Sequence, residues 1–122
     1  MLIPRLTEIV LQLQDRKREY DKHEAKVAEL TVRMRGNGHM LESELKAAQA
    51  GLERAVGELN ALADQVHDIG CELKGIEEGL IDFRTEMDGR EVYLCWKLGE
   101  ESIEWWHELQ TGFAGRQPLE ER

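Results

Sequence analysis

Residues 41–69 read LESELKAAQAGLERAVGELNALADQVHDI. Within this stretch Leu41, Leu45, Ala48, Leu52, Ala55, Leu59, Leu62, Val66 and Ile69 alternate steps of four and three without a break. That spacing lays these nine apolar side chains along one stripe of a helix and gives it a partner-seeking seam. Upstream, seven-residue steps join Leu6, Leu13, Tyr20, Val27 and Met34, with Ile9, Arg16, His23 and Leu30 interleaved. Two such segments flank Gly36-Asn37-Gly38, residues that tolerate the positive φ of a helix stop. If the chain folds back at residue 37 or 38, facing residues have numbers summing to about 75. Met34 then meets Leu41, Leu30 meets Leu45, Val27 meets Ala48, His23 meets Leu52, Tyr20 meets Ala55 and Arg16 meets Leu59. The largest seam residue falls opposite a small one, as close packing asks. The expectation is an antiparallel, coiled-coil-like helical hairpin, each helix about thirty residues and roughly 45 Å long.

From Gly70 the pattern changes. Cys71–Lys74, Leu80–Phe83 and Val92–Leu98 are short runs that alternate apolar with polar, as strands do. Asp88-Gly89 between the second and third is a hairpin turn signal. Residues 103–109 fit a fourth strand or a short helix. The predicted fold class is therefore α+β, in a single structural unit. Residues 1–70 form the hairpin with its turn at 36–39, and residues 71–110 a small antiparallel β module of three to four strands. Residues 111–122 are an irregular tail.

Composition bounds the function. The chain has 122 residues and a net charge of −9, and residues 71–122 carry 13 acidic against 6 basic side chains. An acidic surface argues against non-specific binding to nucleic acid or anionic lipid. No secretory signal or membrane-spanning run is evident. Cys71 and Cys95 are too few for a disulfide framework and fit a reducing cytoplasm.

Several residues are candidates for a site, each with a plain structural alternative. His67 and Cys71, four apart, together with Cys95 and His107 make a Cys2His2 set suited to zinc, although no Cys-x-x-Cys pair is present. The alternative is buried cysteines and a solvated histidine. No other cofactor is implied. His107 with Glu108 is a weaker acid–base pair, because neighbours on a strand face opposite sides. His23 and Arg16 read as polar seam residues that fix register. At the hairpin tip, Arg33, Arg35 and His39 are cationic and suited to phosphate or a partner, or to the C-terminal end of a helix. Arg116 is placed to hold an anion or to pin the tail through Glu104 or Glu108. Trp105 and Trp106 are expected to expose an aromatic partner surface, since three tryptophans exceed what so small a module buries.

The segments Gly89-Arg90-Glu91-Val92-Tyr93-Leu94-Cys95-Trp96 and Gly112-Phe113-Ala114-Gly115-Arg116-Gln117-Pro118, with Gly70–Lys74, Gly79–Phe83 and Trp106-His107-Glu108, resemble a bacterial family of uncharacterised proteins. This is domain-of-unknown-function family 2203. The likeness spans nearly the whole chain and departs at Arg84, where proline is expected. It implies a bacterial, cytoplasmic protein and supplies no activity. Nucleotide-loop and zinc-protease signatures are lacking. The reading that follows is a non-enzymatic interaction or structural module, with a protein partner or a second copy as ligand. A small metal- or ligand-binding enzyme using Cys71, Cys95, His107 and Arg116 is the alternative. An RNA- or ribosome-associated factor using the basic tip is the third, nucleic acid being expected nowhere else and a membrane not at all.

Overall fold

Helices form where the sevenfold spacing runs and stop where glycine permits it. The computed structural model describes residues 2–37 and 41–119. Helix α1 spans Leu2–Asn37 and α2 spans Glu42–Ile69, the latter with Glu42 and Glu44 favourably placed at its positive end. The expected turn at 36–39 lies partly outside the described residues, as does His39. Gly70, at φ 98°, ends α2. Its N–H reaches the His67 carbonyl at 2.9 Å, and the Cys71 N–H reaches Val66 at 3.2 Å. This double bond is the Schellman stop, which needs a left-handed residue that glycine adopts without strain.

The chain divides into two compact units. One is Gln12–Leu62. Here the helices pair antiparallel in the predicted register: Leu30, Leu41 and Ala48 form a buried cluster with Val27, Met34 and Leu45 packed on it. Farther along, Arg16 Nη1 lies 3.5 Å from Glu58 Oε1. The His23 ring sits against Gly51, where an added Cβ would fall 2.5 Å from its Cε1. Nothing lies within 4 Å of the same position at Gly57.

The other unit joins the chain up to Leu11 with everything from Ala63 onward. Leu6, Val10 and Val66 are fully buried in it, and a Cβ at Gly79 would meet Val10 Cγ1 at 3.1 Å. Its sheet is an antiparallel meander of β1 (Glu72–Gly75), β2 (Leu80–Met87), β3 (Arg90–Lys97), β4 (Trp105–Glu108) and β5 (Gln117–Pro118). The β2–β3 hairpin turns on Asp88 and Gly89, at φ 53° and 82°, the left-handed pair that matches strand twist. Five strands replace the three to four expected, and residues 105–108 are strand rather than helix. The tail corrects the prediction as well. Phe113–Gly115 is a 3-10 turn, and Gln117–Pro118 pairs with β4 at the sheet edge, where a proline sacrifices no ladder bond. Among the described residues no helix is long and apolar enough to cross a membrane.

Register separates the sheet's faces. Asp82 pairs with Cys95, Arg84 with Tyr93, Tyr93 with His107 and Cys95 with Trp105. These share one face. Ile81, Val92, Leu94, Trp96 and Trp106 occupy the other, where Ile81, Val92 and Trp96 are fully buried. One face is apolar core and the other is polar.

Candidate functional site

The polar face is itself buried at its centre. Asp82 and His107 are 3% and 2% exposed, and Cys95 and Tyr93 are buried beside them. Three neighbouring strands thus contribute one inward polar group each, Asp82 from β2, Cys95 from β3 and His107 from β4. His107 Nδ1 lies 2.7 Å from the Glu108 carbonyl oxygen, and Nε2 lies 2.9 Å from Asp82 Oδ2. A carbonyl only accepts, so Nδ1 carries a hydrogen and donates it. Oδ2 then faces Nε2 across a distance that requires a shared proton or another cation.

Around this pair the groups are tightly matched. The Tyr93 ring stands 5.3 Å from the His107 ring at 49°. Its hydroxyl donates to the Glu72 carboxylate at 2.9 and 3.1 Å. Lys74 Nζ sits 3.0 Å from Glu72 and 4.6 Å from the Tyr93 centroid, a cation over an aromatic face. The bond from Lys74, followed by that from Tyr93, lowers the Glu72 carboxyl below its ordinary range against the opposing effect of burial. Burial, with Asp82 adding, pushes the Cys95 thiol up to about 11, against a smaller opposing effect of Arg116. A thiol so placed is protonated at neutral pH and is not an activated nucleophile. A cavity of about 260 Å3 opens on this face, lined by Lys74, Asp82, Tyr93, Cys95, His107 and Phe113 among others. That is below the ~300–1,000 Å3 of drug-sized pockets and suits a small ligand.

The structure redistributes the residues singled out in the sequence. Cys95 and His107 come together, and among the described residues the metal-competent donors near them are completed by Asp82. His67 is exposed on α2, while Cys71 is buried past the helix stop, its thiol raised by burial; neither joins that group. The four-residue spacing does not apply to them, because Gly70 leaves the helix between. The sequence carried a signal only for the register of Asp82, since a turn at residues 88 and 89 sets it opposite Cys95, and none for its burial.

Arg116 finds its carboxylate in Glu100, at 2.8 and 2.9 Å, rather than in Glu104 or Glu108. It also donates to the Cys95 carbonyl at 3.3 Å and lies over Trp105 and Phe113. Glu108 instead pairs with Arg90 at 2.7 Å, on the face opposite His107. The expected aromatic surface is corrected. Trp106 is only 8% exposed, on the apolar core face with Ile81, Val92 and Trp96, and Trp105, on the opposite face, is half-buried under the Arg116 guanidinium that the 3-10 turn and β5 bring in. Arg33 and Arg35 are exposed near the end of α1, and Arg33 lies 3.4 Å from Glu29.

Compared with known proteins, residues 1–119 match the family model described as "Uncharacterized conserved protein (DUF2203)". No curated protein and no solved structure matches the chain.

Proposed function

Since the chain belongs to the DUF2203 family, whose description names no activity, we propose a function from geometry: a small-ligand-binding module whose site is the buried polar face of the sheet. The observation that carries this reading is the Asp82–His107 pair, almost wholly removed from water yet bordering a cavity. A matched buried pair stabilises a fold no better than apolar packing of the same volume does. The neighbouring face, packed with Ile81, Val92 and Trp96, shows the sheet able to build the cheaper solution. Binding gives the polar groups their use. With the Cys95 thiol held protonated, the site reads as one for recognition rather than covalent catalysis. A bacterial, cytoplasmic setting belongs to the same proposal, supported by the two free thiols.

Thermal-shift screening of divalent cations and small organic acids, with hits mapped by NMR, tests the reading. The expected result is a ligand that raises Tm and moves the resonances of Lys74, Tyr93 and His107. Hits that all map to residues 12–62, or none at all, would sink it.

A second reading, the interaction module, keeps one observation of its own. The hairpin unit carries an open groove of about 610 Å3 lined by Lys22, His23, Lys26, Glu29 and Glu44 over alanines, and Val32 and Val56 are exposed elsewhere on the same two helices. A coiled-coil partner or a second copy suits that surface. Sedimentation of wild type against Ala47→Glu separates a self-associating chain from a monomer.

A further inference from the structure

We propose that Asp82, Cys95 and His107 form a three-donor site for a divalent transition metal of zinc's class, with a fourth position facing the cavity. The inference rests on the ligand-site reading and names its ligand.

The hydrogen bonding of His107 points first. With Nδ1–H donated to the Glu108 carbonyl at 2.7 Å, Nε2 is the ring nitrogen left to hold a proton or a metal ion. It faces Asp82 Oδ2 at 2.9 Å, a contact that a shared proton holds together and that a metal ion can take over. Metal-bound histidines are held in this same way, one ring nitrogen donating to a carbonyl while the other ligates.

The distances point next. The Asp82, Cys95 and His107 donor atoms all lie within 4.8 Å of one another. Around a tetrahedral ion with bonds of about 2.0–2.3 Å, donors stand roughly 3–4 Å apart. The thiol needs only to close in slightly, and the carboxylate to open by a few tenths of an ångström.

Donor chemistry then selects the ion. One imidazole, one thiolate and one carboxylate suit zinc or cobalt, whereas magnesium and calcium demand oxygen alone. Charge balances too. The ion enters as two protons leave for solvent, one from the Cys95 thiol and one shared by Asp82 and His107. The buried site thus keeps the same net charge with and without the metal, as its burial requires. Three donors leave one position open, the pattern of sites that exchange a water for a ligand, and the cavity that the three donors line is also lined by Tyr93 and Lys74.

Titrating the full, chelator-treated chain with Co2+ alone tests the proposal. The expected result is one equivalent of tetrahedral cobalt with a thiolate charge-transfer band, bleached by Zn2+. The band is lost in Cys95→Ser and kept in Cys71→Ser. Affinity in Asp82→Asn falls by at least the roughly 10–100-fold that losing even a second-shell partner costs. Should Cys95→Ser not fold, the histidine-ring nitrogens of the wild type decide: Zn2+ moves Nε2 of His107 and leaves His67 in place. A band that survives Cys95→Ser but vanishes in Cys71→Ser overturns the proposal. So does a folded wild type silent to both metals. If organic ligands still shift Tyr93 and Lys74 in that silent protein, the metal falls alone. If nothing shifts them, the ligand-site reading falls with it.

Discussion

His23 in the hairpin and His107 in the sheet both occupy inward positions of a periodic element, and the two regions accommodate them in opposite ways. His23 lies at the margin of a two-helix seam. Its side chain keeps 28% of its exposure, its ring rests on Gly51, and Glu19 stands 3.9 Å away. Water supplies whatever the protein does not. His107 is enclosed by neighbouring strands, so both ring nitrogens must be matched by protein, and they are. A seam only two helices wide lets a polar residue slide outward, while the centre of a covered sheet offers no such exit. Polar residues are therefore cheap in the first region and specific in the second.

The widest contrast lies in what each residue's neighbourhood costs to break. Asp82→Ala leaves His107 buried without its partner, and such losses cost about 3–5 kcal/mol. His23→Ala, at a half-solvated position, should cost less than about 1 kcal/mol. Urea unfolding of the two variants measures both. Equal losses would show the buried pair to be no more tightly matched than the marginal ring.

A smaller effect follows from the thiol between these groups. In the folded chain Cys95 titrates near 11, above the unfolded value of about 8.5. Its contribution to stability is whole below about pH 8.5 and is lost as the pH rises toward about 11, on the order of 3 kcal/mol by linkage. Tyrosines and lysines titrate in the same window, so the comparison is between wild type and Cys95→Ala. The wild type should lose more stability on going from about pH 8 to about pH 11. Parallel losses would place the thiol in contact with water.

What could be read in advance divides along the same line. The hairpin was legible because its repeat and its glycine-bounded turn are separate signals that agree on register, and Arg16 beside Glu58 and His23 beside Gly51 lie within a residue of that register. The β2–β3 pairing was equally open through Asp88-Gly89. The site was not. In Leu80-Ile81-Asp82-Phe83 the aspartate occupies the position that alternation assigns to solvent, and nothing local reveals that this face is also covered. The cover comes from residues 109–119, where a two-residue strand containing proline carries no alternation to detect. The same segment lays Arg116 over Trp105, while Trp106 is withdrawn on the other face by the apolar core. His67 and Cys71 misled because a spacing of four implies a shared helix face, and a glycine in the left-handed region had already ended the helix.

The least costly way to sharpen the contrast uses the two glycines of α2. A Cβ at position 57 meets nothing within 4 Å, so Gly57→Ala should stabilise the chain by about 0.5–1 kcal/mol through helix propensity alone. A Cβ at position 51 would fall 2.5 Å from His23 Cε1 and 2.6 Å from Nδ1, so the ring must move. Its path outward is open, and the cost is packing rather than an unmatched buried group. Gly51→Ala should consequently gain less than Gly57→Ala in the wild-type background, and the same amount once His23 is alanine. Thermal unfolding of this four-variant cycle reads the coupling directly, a few tenths to about 1 kcal/mol. Equal gains at both glycines with His23 present would mean that the ring does not rest on Gly51. A loss comparable to that of Asp82→Ala would mean that the hairpin margin is as closed as the sheet interior.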